Sequence, residues 1–466
     1  MTFSARRSSW RSSKDFRHDN RRGITAPSTP VPPFGPLLRT ITPDDLFSPA
    51  KSFLSSATIT DVTTLATFNW LNKPSSAPTI LIPGKPPLYT PPPTAPRLRE
   101  DSPIHPRDKN AYRYPSHPTE PAVVALLDSN PTIPSTLDIL ACGNTMGNLL
   151  RFVRGQEKPF RMLVDKIGNT AFLVRRENSP REMISDVRGY GHTFPEAYVT
   201  WEVEGVSHQR IVGYEFGGLR VGVRFEGDGC LPNGSGDKGK EAGDGKKMNG
   251  VDGKMKEKKN DELGDLVGAM KSLGVDDTAG GLKVERGGEM VEQERVFDLK
   301  TRSIKTKDKD HAGEAMPRLW VAQIPWFVLA FHRQGVFEKG NILTQDMRDG
   351  LKTWEEDNRE VLARFAALLG KIAELVSEDG RVELRCFEVG KLEVRKWLDD
   401  AGDVLSSDVR TRWVDGRRES REDDLDDLNL QGSDLDETHT DWEDAQGNDF
   451  TACSADQCGY CGRCDY

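Results

Sequence analysis

From about residue 120 the chain alternates between two hydrophobic periods. PAVVALLDSN (121–130) reads as a short helix, and STLDILACGNTMGNLLRFV (135–153) as a second helical stretch. FRMLVDKIGNTAFLVRR (160–176) holds two strand-like runs around Ile167-Gly168-Asn169, a hairpin signal. QRIVGYEF (209–216) and LRVGVRFEGD (219–228) meet at Gly217-Gly218 and predict two more strands. ERVFDLKTRSIK (294–305) restores the strand pattern, and PRLWVAQIPWFVLAFHRQGVFE (317–338) starts as a helix and runs into a strand. The spacing from 344 to 380 predicts one long helix capped by Thr344. Met347, Leu351, Trp354, Leu362, Phe365, Leu369, Ile372 and Val376 line one face, and Gly380 ends it. VELRC (382–386) and LEVRKW (392–397) predict a closing hairpin. Strands interleaved with helices imply an α/β (α+β) domain: a mixed central β-sheet flanked by helices. No internal repeat is visible.

The flanking segments have a different composition. Residues 1–57 form a basic, Arg/Ser-rich and then Pro-rich arm, expected to lack order and able to touch nucleic acid. Short apolar runs between prolines over 58–95 suggest an extended segment lying on the domain. Residues 232–293 are low-complexity and of mixed charge, and read as a loop insertion between neighbouring strands. LGDLVGAMKSLGV (263–275) reads as a lone helix within it. The domain is therefore expected over 58–231 plus 294–398. Residues 399–450 hold 18 Asp/Glu against 5 Arg, an acidic linker, so the net charge of −9 conceals a mildly basic body. A Cys-rich tail, 451–466, closes the chain.

No apolar run approaches the roughly 20 residues that cross a bilayer, and no hydrophobic leader opens the chain. A membrane partner is excluded on this reading. Cys142, Cys230 and Cys386 stand apart and read as reduced thiols, pointing to an intracellular protein, nuclear or cytoplasmic.

The candidate chemistry lies on two predicted strands. Glu226 and Asp228 alternate at the end of VRFEGDGC, so they share a face roughly 6–7 Å apart. Asp298 and Lys300, in VFDLKTR, share a face of the strand expected beside it. Three carboxylates and one lysine then converge. Hard oxygen donors of this kind suit Mg²⁺ or Mn²⁺, which lowers the pKa of a bound water and clamps an in-line phosphodiester displacement. A neighbouring lysine steadies the developing charge. The alternative is a salt bridge from Lys300 to the acids at a sheet edge, in a fold without activity.

This order of motifs resembles the PD-(D/E)XK nuclease superfamily, nearest the eukaryotic decapping and 5′–3′ exonuclease family that processes RNA 5′ ends. That family shows an Arg-containing motif, Gly-Tyr-x-x-Glu, Glu-x-Asp, Glu-x-Lys, and a Trp-x-Gln segment before a Gly-containing strand. Here Gly213-Tyr214-Glu215, Glu226-x-Asp228, Asp298-x-Lys300 and the segment with Trp320 and Gln323 follow in that order, across roughly 140–340. The position of the Arg motif falls on ACGNTMGNLL, which has no arginine. Glu215 stands two residues early, and Asp298 replaces the usual Glu. The resemblance implies a metal-dependent phosphodiesterase acting on nucleic acid, RNA rather than DNA. Glu226, Asp228 and Asp298 would be metal ligands. Glu215 would add a ligand or orient water, Lys300 would position the nucleophile, and Gln323 would support the site. A catalytically inactive module that binds through the same fold is the second class.

Cys453, Cys458, Cys461 and Cys464 are spaced C-x4-C-x2-C-x2-C. Zn²⁺ ligation, reactive or disulfide-linked thiols, and an Fe–S centre all remain open readings. The acidic linker is a docking segment for a protein partner on this reading. Its DDLDD (Asp423–Asp427) fits the DDxxD pattern of prenyl diphosphate synthases. It has no apolar stripe around it and reads as a solvated charge run. His192, His208 and His332 show no ligand spacing and read as ordinary surface or core residues.

Overall fold

The computed structural model describes residues 29–185, 187–233, 281–378 and 380–422. The basic arm to residue 28, the 263–275 helix, DDLDD and the four tail cysteines lie outside the described residues.

An eleven-stranded mixed sheet forms the frame. Its order is β1 (Leu37–Ile41), β19 (Lys391–Lys396), β18 (Val382–Glu388), β7 (Phe160–Ile167), β8 (Thr170–Arg175), β6 (Ile139–Cys142), β12 (Leu219–Glu226), β11 (Ser207–Phe216), β2 (Thr60–Trp70), β3 (Thr79–Ile82) and β14 (Lys283–Arg286). Strand β6 is parallel to both of its neighbours, and β14 is parallel to β3. A second, six-stranded sheet runs β10 (Val199–Thr200), β4 (Leu88–Tyr89), β13 (Gly229–Cys230), β15 (Val296–Ser303), β16 (Trp326–His332) and β17 (Ile342–Asp346). A ribbon of β5 (Ile104–Pro106) and β9 (Met183–Ser185) completes the pairing.

Helices cover both faces of the large sheet. On one side α1 (Asp44–Ala50), α4 (Gly143–Val153), α6 (His311–Ala322) and α8 (Arg359–Glu378) bury Leu46, Met146, Leu149, Leu319, Phe365 and Leu369 against Val212, Val221 and Val223. On the other, α3 (Glu120–Ser129) and α9 (Ser407–Glu422) pack Val123, Leu126, Val409 and Trp413 against Leu140, Phe172 and Ile211. Trp413 is fully buried and meets Phe172 edge-on, with ring centroids 5.3 Å apart.

The α/β architecture with helix-flanked mixed sheets is the one expected, but several element assignments change. Residues 37–57, placed in the unordered arm, supply β1 and α1. The segment 58–95 is no surface strap: β2 is an 11-residue strand inside the large sheet. Its prolines all follow the strand, so none of them interrupts its ladder. Residues 139–142 form a parallel strand instead of helix, because Ile139, Leu140 and Ala141 are buried from both sides. The predicted helix over 344–380 is three elements. Thr344 pairs with Val328 in β17, and α7 (Arg348–Asp357) ends at Asn358 before α8 begins. The end of the insertion belongs to the body, since β14 extends the large sheet beside β3. The first part of the acidic linker does too, as α9.

Because Trp413 fills the far side of the sheet, Trp413→Ala should destabilise the protein by about 3–5 kcal/mol. Chemical unfolding monitored by fluorescence and circular dichroism checks this. A loss below about 1 kcal/mol would remove α9 from the core.

Candidate functional site

The chain passes from the large sheet to the small one within three residues. Strand β12 pairs with β11 as far as Glu226 opposite Gln209, and Gly227 N–H still donates to the His208 carbonyl at 3.0 Å. Two residues later Gly229 and Cys230 pair antiparallel with Phe297 and Val296 of β15. The two glycines that bracket Asp228 permit this crossing. A Cβ on Gly229 would lie 2.5 Å from Phe297 Cζ and 2.9 Å from the Pro87 carbonyl oxygen. The expected pairing of the whole strand 219–228 with 295–302 is therefore corrected: only the two-residue β13 makes it, and β12 stays in the other sheet. The consequence for the acids survives, because that register sets Asp228 opposite Asp298.

Asp228 Oδ2 accepts from Leu299 N at 2.6 Å. Burial above all, then the Asp298 and Glu226 carboxylates, push the Asp228 carboxyl up to about 8. The Leu299 N–H and the Arg318 guanidinium act against that rise without cancelling it. Asp298 is gripped by Arg318 of α6. Nε lies 3.1 Å from Oδ1 and Nη2 bonds Oδ2, the two-pronged geometry a guanidinium favours. Glu226 accepts from Lys109 Nζ at 2.9 Å. Lys109 opens α2 (Lys109–Arg113), and the Asp108 side chain caps that helix by accepting from Asn110 N and Ala111 N at 2.8 and 3.1 Å. Lys300 lies two residues beyond Asp298, on the same face of β15, and is buried.

The charged row continues away from Asp228. Arg224 alternates with Glu226 on β12 and donates to Gln209 Oε1 at 3.1 Å. Arg175, at the end of β8, donates to Asp108 Oδ2 at 2.9 Å and also bonds Glu177. Burial raises Asp108, but Arg175 and then Arg224 outweigh it and hold the carboxyl below its usual range. Glu177 goes the other way: burial pushes it up to about 7 despite Arg175.

Of the predicted site residues, Glu226, Asp228 and Asp298 come together, with Lys300 along the same strand. Glu215 does not join them. It pairs with Arg220 at 3.0 Å, six positions along the hairpin from the level of Glu226, or about 20 Å. Gln323 is spent on helix α6, which it ends in a left-handed conformation (φ 51°). Its Nε2 donates to the Trp320 carbonyl at 2.6 Å, and its own carbonyl accepts from Gln293 at 2.7 Å. His208 is buried with Nδ1 2.8 Å from Asn69 Oδ1, and His332 is buried, as core residues. His192 stacks on His105, with ring centroids 3.7 Å apart. Lys109, Arg318, Arg175 and Asp108 carry no motif and were missed. Arg224 was missed as well, although it precedes Glu226 and Asp228 in the same alternation, a signal that could have found it.

The donors are hard oxygens, and the Asp298 carboxylate lies close enough to Asp228 to help push its carboxyl up. That chemistry fits Mg²⁺ or Mn²⁺. Among the described residues, however, no group of three or more His, Cys, Asp or Glu is arranged to hold a metal ion. No helix among them is long and apolar enough to cross a membrane.

A family model described as a domain of unknown function, DUF8563, matches residues 37–391, and the chain belongs to that family. No curated protein matches the sequence. Among solved structures the chain is similar to Rai1 of S. pombe, at 10% identity and a TM-score of 0.44, covering 77% of this chain and 99% of that one. It is similar to Candida albicans Rai1 in complex with pU5 and Mn²⁺, at 9% identity and 0.47, covering 78% and 98%. It is also similar to K. lactis Dxo1 in complex with manganese, at 9% identity and 0.41, covering 81% and 96%.

Two outcomes test the site as built. Gly229→Ala should cost about 1–3 kcal/mol, through contact with Phe297 and Pro87. Gly281→Ala, with nothing within 4 Å, is the neutral control in the same unfolding assay. Asp228 binds its proton more tightly when folded, about 8 against an ordinary 3.8. Without added metal, its contribution to stability is therefore lost as pH rises from about 4 to about 8. Asp228→Asn should melt higher than wild type at pH 8, by about 3 °C or more, and the difference should vanish near pH 4. Equal melting temperatures at pH 8 would refute the strained carboxyl.

Proposed function

We propose that the protein is a metal-dependent phosphodiesterase acting on RNA inside the cell. The observation that carries this reading is Asp228. The fold delivers its carboxyl next to Asp298 and within range of Glu226, in surroundings that leave it protonated at neutral pH unless a cation arrives. Asp228 and Asp298 would hold Mg²⁺ or Mn²⁺, with Glu226 joining once it leaves Lys109. Such an ion, when bound, lowers the pKa of a coordinated water and stabilises charge on a phosphoryl oxygen. Lys300, buried one alternation beyond Asp298, keeps a positive charge beside the attacked phosphorus. Arg224, which bonds the neutral Gln209 side chain, adds positive charge beside the acids for a polyanionic strand. The three described cysteines are free thiols, which supports a reducing compartment.

A second reading, a binding module without turnover, is favoured by one observation: Glu226 and Asp298 already have cations at contact distance. One experiment separates the two. On the metal reading, millimolar Mn²⁺ raises the melting temperature of the wild type by several degrees and leaves Asp228→Asn and Asp298→Asn unmoved. Asp228→Ala and Lys300→Ala then abolish Mn²⁺-dependent degradation of 5′-monophosphorylated RNA. A wild type that neither gains stability from Mn²⁺ or Mg²⁺ nor degrades RNA, yet still binds it, is the binding module.

A further inference from the structure

Residues 29–36, Thr-Pro-Val-Pro-Pro-Phe-Gly-Pro, form no helix or strand, yet they lie bound along one face of the large sheet just before β1. Four prolines in eight residues remove half of the segment's N–H donors and favour extended backbone before each of them. What remains is a row of acceptors, and the sheet meets it with donors. Asn178 Nδ2 donates to the Thr29 carbonyl at 3.4 Å. Arg161 Nη1 and Nη2 donate to the carbonyls of Pro32 and Pro33 at 3.0 and 3.2 Å, and Arg395 Nη1 to that of Gly35 at 2.9 Å. The one ring in the segment, Phe34, sits among three guanidiniums. Arg385 Cζ lies 4.0 Å from its centroid, Arg161 Cζ 4.4 Å and Arg395 Cζ 5.7 Å. Arg385 Cζ also lies 4.2 Å from the ring centroid of Phe387, which is 49% exposed.

The arginines do not depend on the segment for their placement. Arg161 makes a two-pronged pair with the buried Glu383, Nη2 lying 3.0 Å from Oε2. Glu393 takes both Arg385 and Arg395, at 3.1 and 2.8 Å. Each guanidinium is therefore oriented by the sheet itself, with its flat face turned to Phe34. Pro30, Val31, Pro33 and Pro36 are exposed, so the segment is held from one side. We infer that this face of β7, β18 and β19 is a recognition site for a proline-rich peptide with an aromatic residue, filled in cis by residues 29–36 and exchangeable for such a segment of a partner protein. A face of oriented donors beside an open aromatic ring suits a chain that is extended, poor in N–H groups and already restricted before it binds. The cis segment acts as a tethered copy of that ligand, so a partner has to outmatch it or wait for its release. Strand β18 stands four places from β12 in the large sheet, and the inference is independent of the phosphodiesterase reading.

The test titrates the full chain into a fluorescein-labelled peptide of residues 29–36 and reads anisotropy. The wild type should bind it weakly, because its own segment fills the face. Phe34→Ala in the full chain removes the ring that anchors the cis segment, and should tighten binding of the peptide by about tenfold. Gly35→Ala should do the same by another route, since a Cβ there would lie 1.9 Å from the Lys396 carbonyl oxygen. Arg385→Gln added to Phe34→Ala should remove the gain. A peptide carrying Phe34→Ala should bind each opened chain about tenfold more weakly than the native peptide. That comparison leaves the protein unchanged and carries the test if Arg385→Gln fails to fold. Equal affinity of the wild type and both opened chains overturns the exchange, since a segment that fills the face must compete. Equal binding of the two peptides overturns recognition through the aromatic ring. No binding of the native peptide to any form, up to about 1 mM, overturns the site and makes residues 29–36 a fixed part of the fold.

Discussion

Gly227, Asp228 and Gly229 carry the chain out of one sheet and into another, and the charged cleft depends on that crossing. A strand that continued in the large sheet would keep Asp228 in line with Glu226, far from β15. A loop of ordinary length would leave the carboxyl free to turn to water. The crossing works because Gly229 passes close to Phe297 and the Pro87 carbonyl, where no side chain fits. It also works because β13, only two residues long, fixes the register that sets Asp228 against Asp298. A local packing constraint is thereby converted into an electrostatic one.

The protein answers that electrostatic load unevenly. Asp298 and Glu226 receive Arg318 and Lys109. Further along, Asp108 receives Arg175, with Arg224 nearby, and Glu177 shares Arg175. Asp228 lies between these pairs and receives a backbone N–H. A fold selected for stability alone has a simpler solution at position 228, an asparagine of the same shape that accepts the same hydrogen bond without the charge. The carboxyl that stands there is what supports a chemical reading of the cleft beside a structural one.

Much of this was legible in the sequence, for reasons that vary with the element. The hairpin of β11 and β12 showed plainly, because its alternation is long and Gly217-Gly218 marks its turn. Asp298-x-Lys300 showed for the same reason. The strand at 139–142 did not, since an apolar run buried on both faces has no period of its own and merges with the helix that follows. Strand β2 was hidden by prolines that turned out to sit outside it. Val409 and Trp413, four residues apart, form an apolar stripe that the dense surrounding charge obscured. Glu215 was misplaced for an instructive reason. Alternation preserves the face of a strand but says nothing about position along it, and the hairpin register puts Glu215 at the opposite end from Glu226. Lys109 and Arg318 could not have been found, because their significance lies in tertiary pairing across sequence separations of 117 and 20 residues.

The order of charges along the cleft narrows what it can accept. Arg224, Glu226 and Asp228 alternate on one stretch of chain, and the cations beside them are tied to carboxylates. A simple anion would meet cations already neutralised, and a simple cation would have to compete with Lys109 and Arg318 for its ligands. Each must displace a partner already in place. Any charged ligand must therefore open ion pairs that the fold has already closed, and only compensation of both signs offsets that cost.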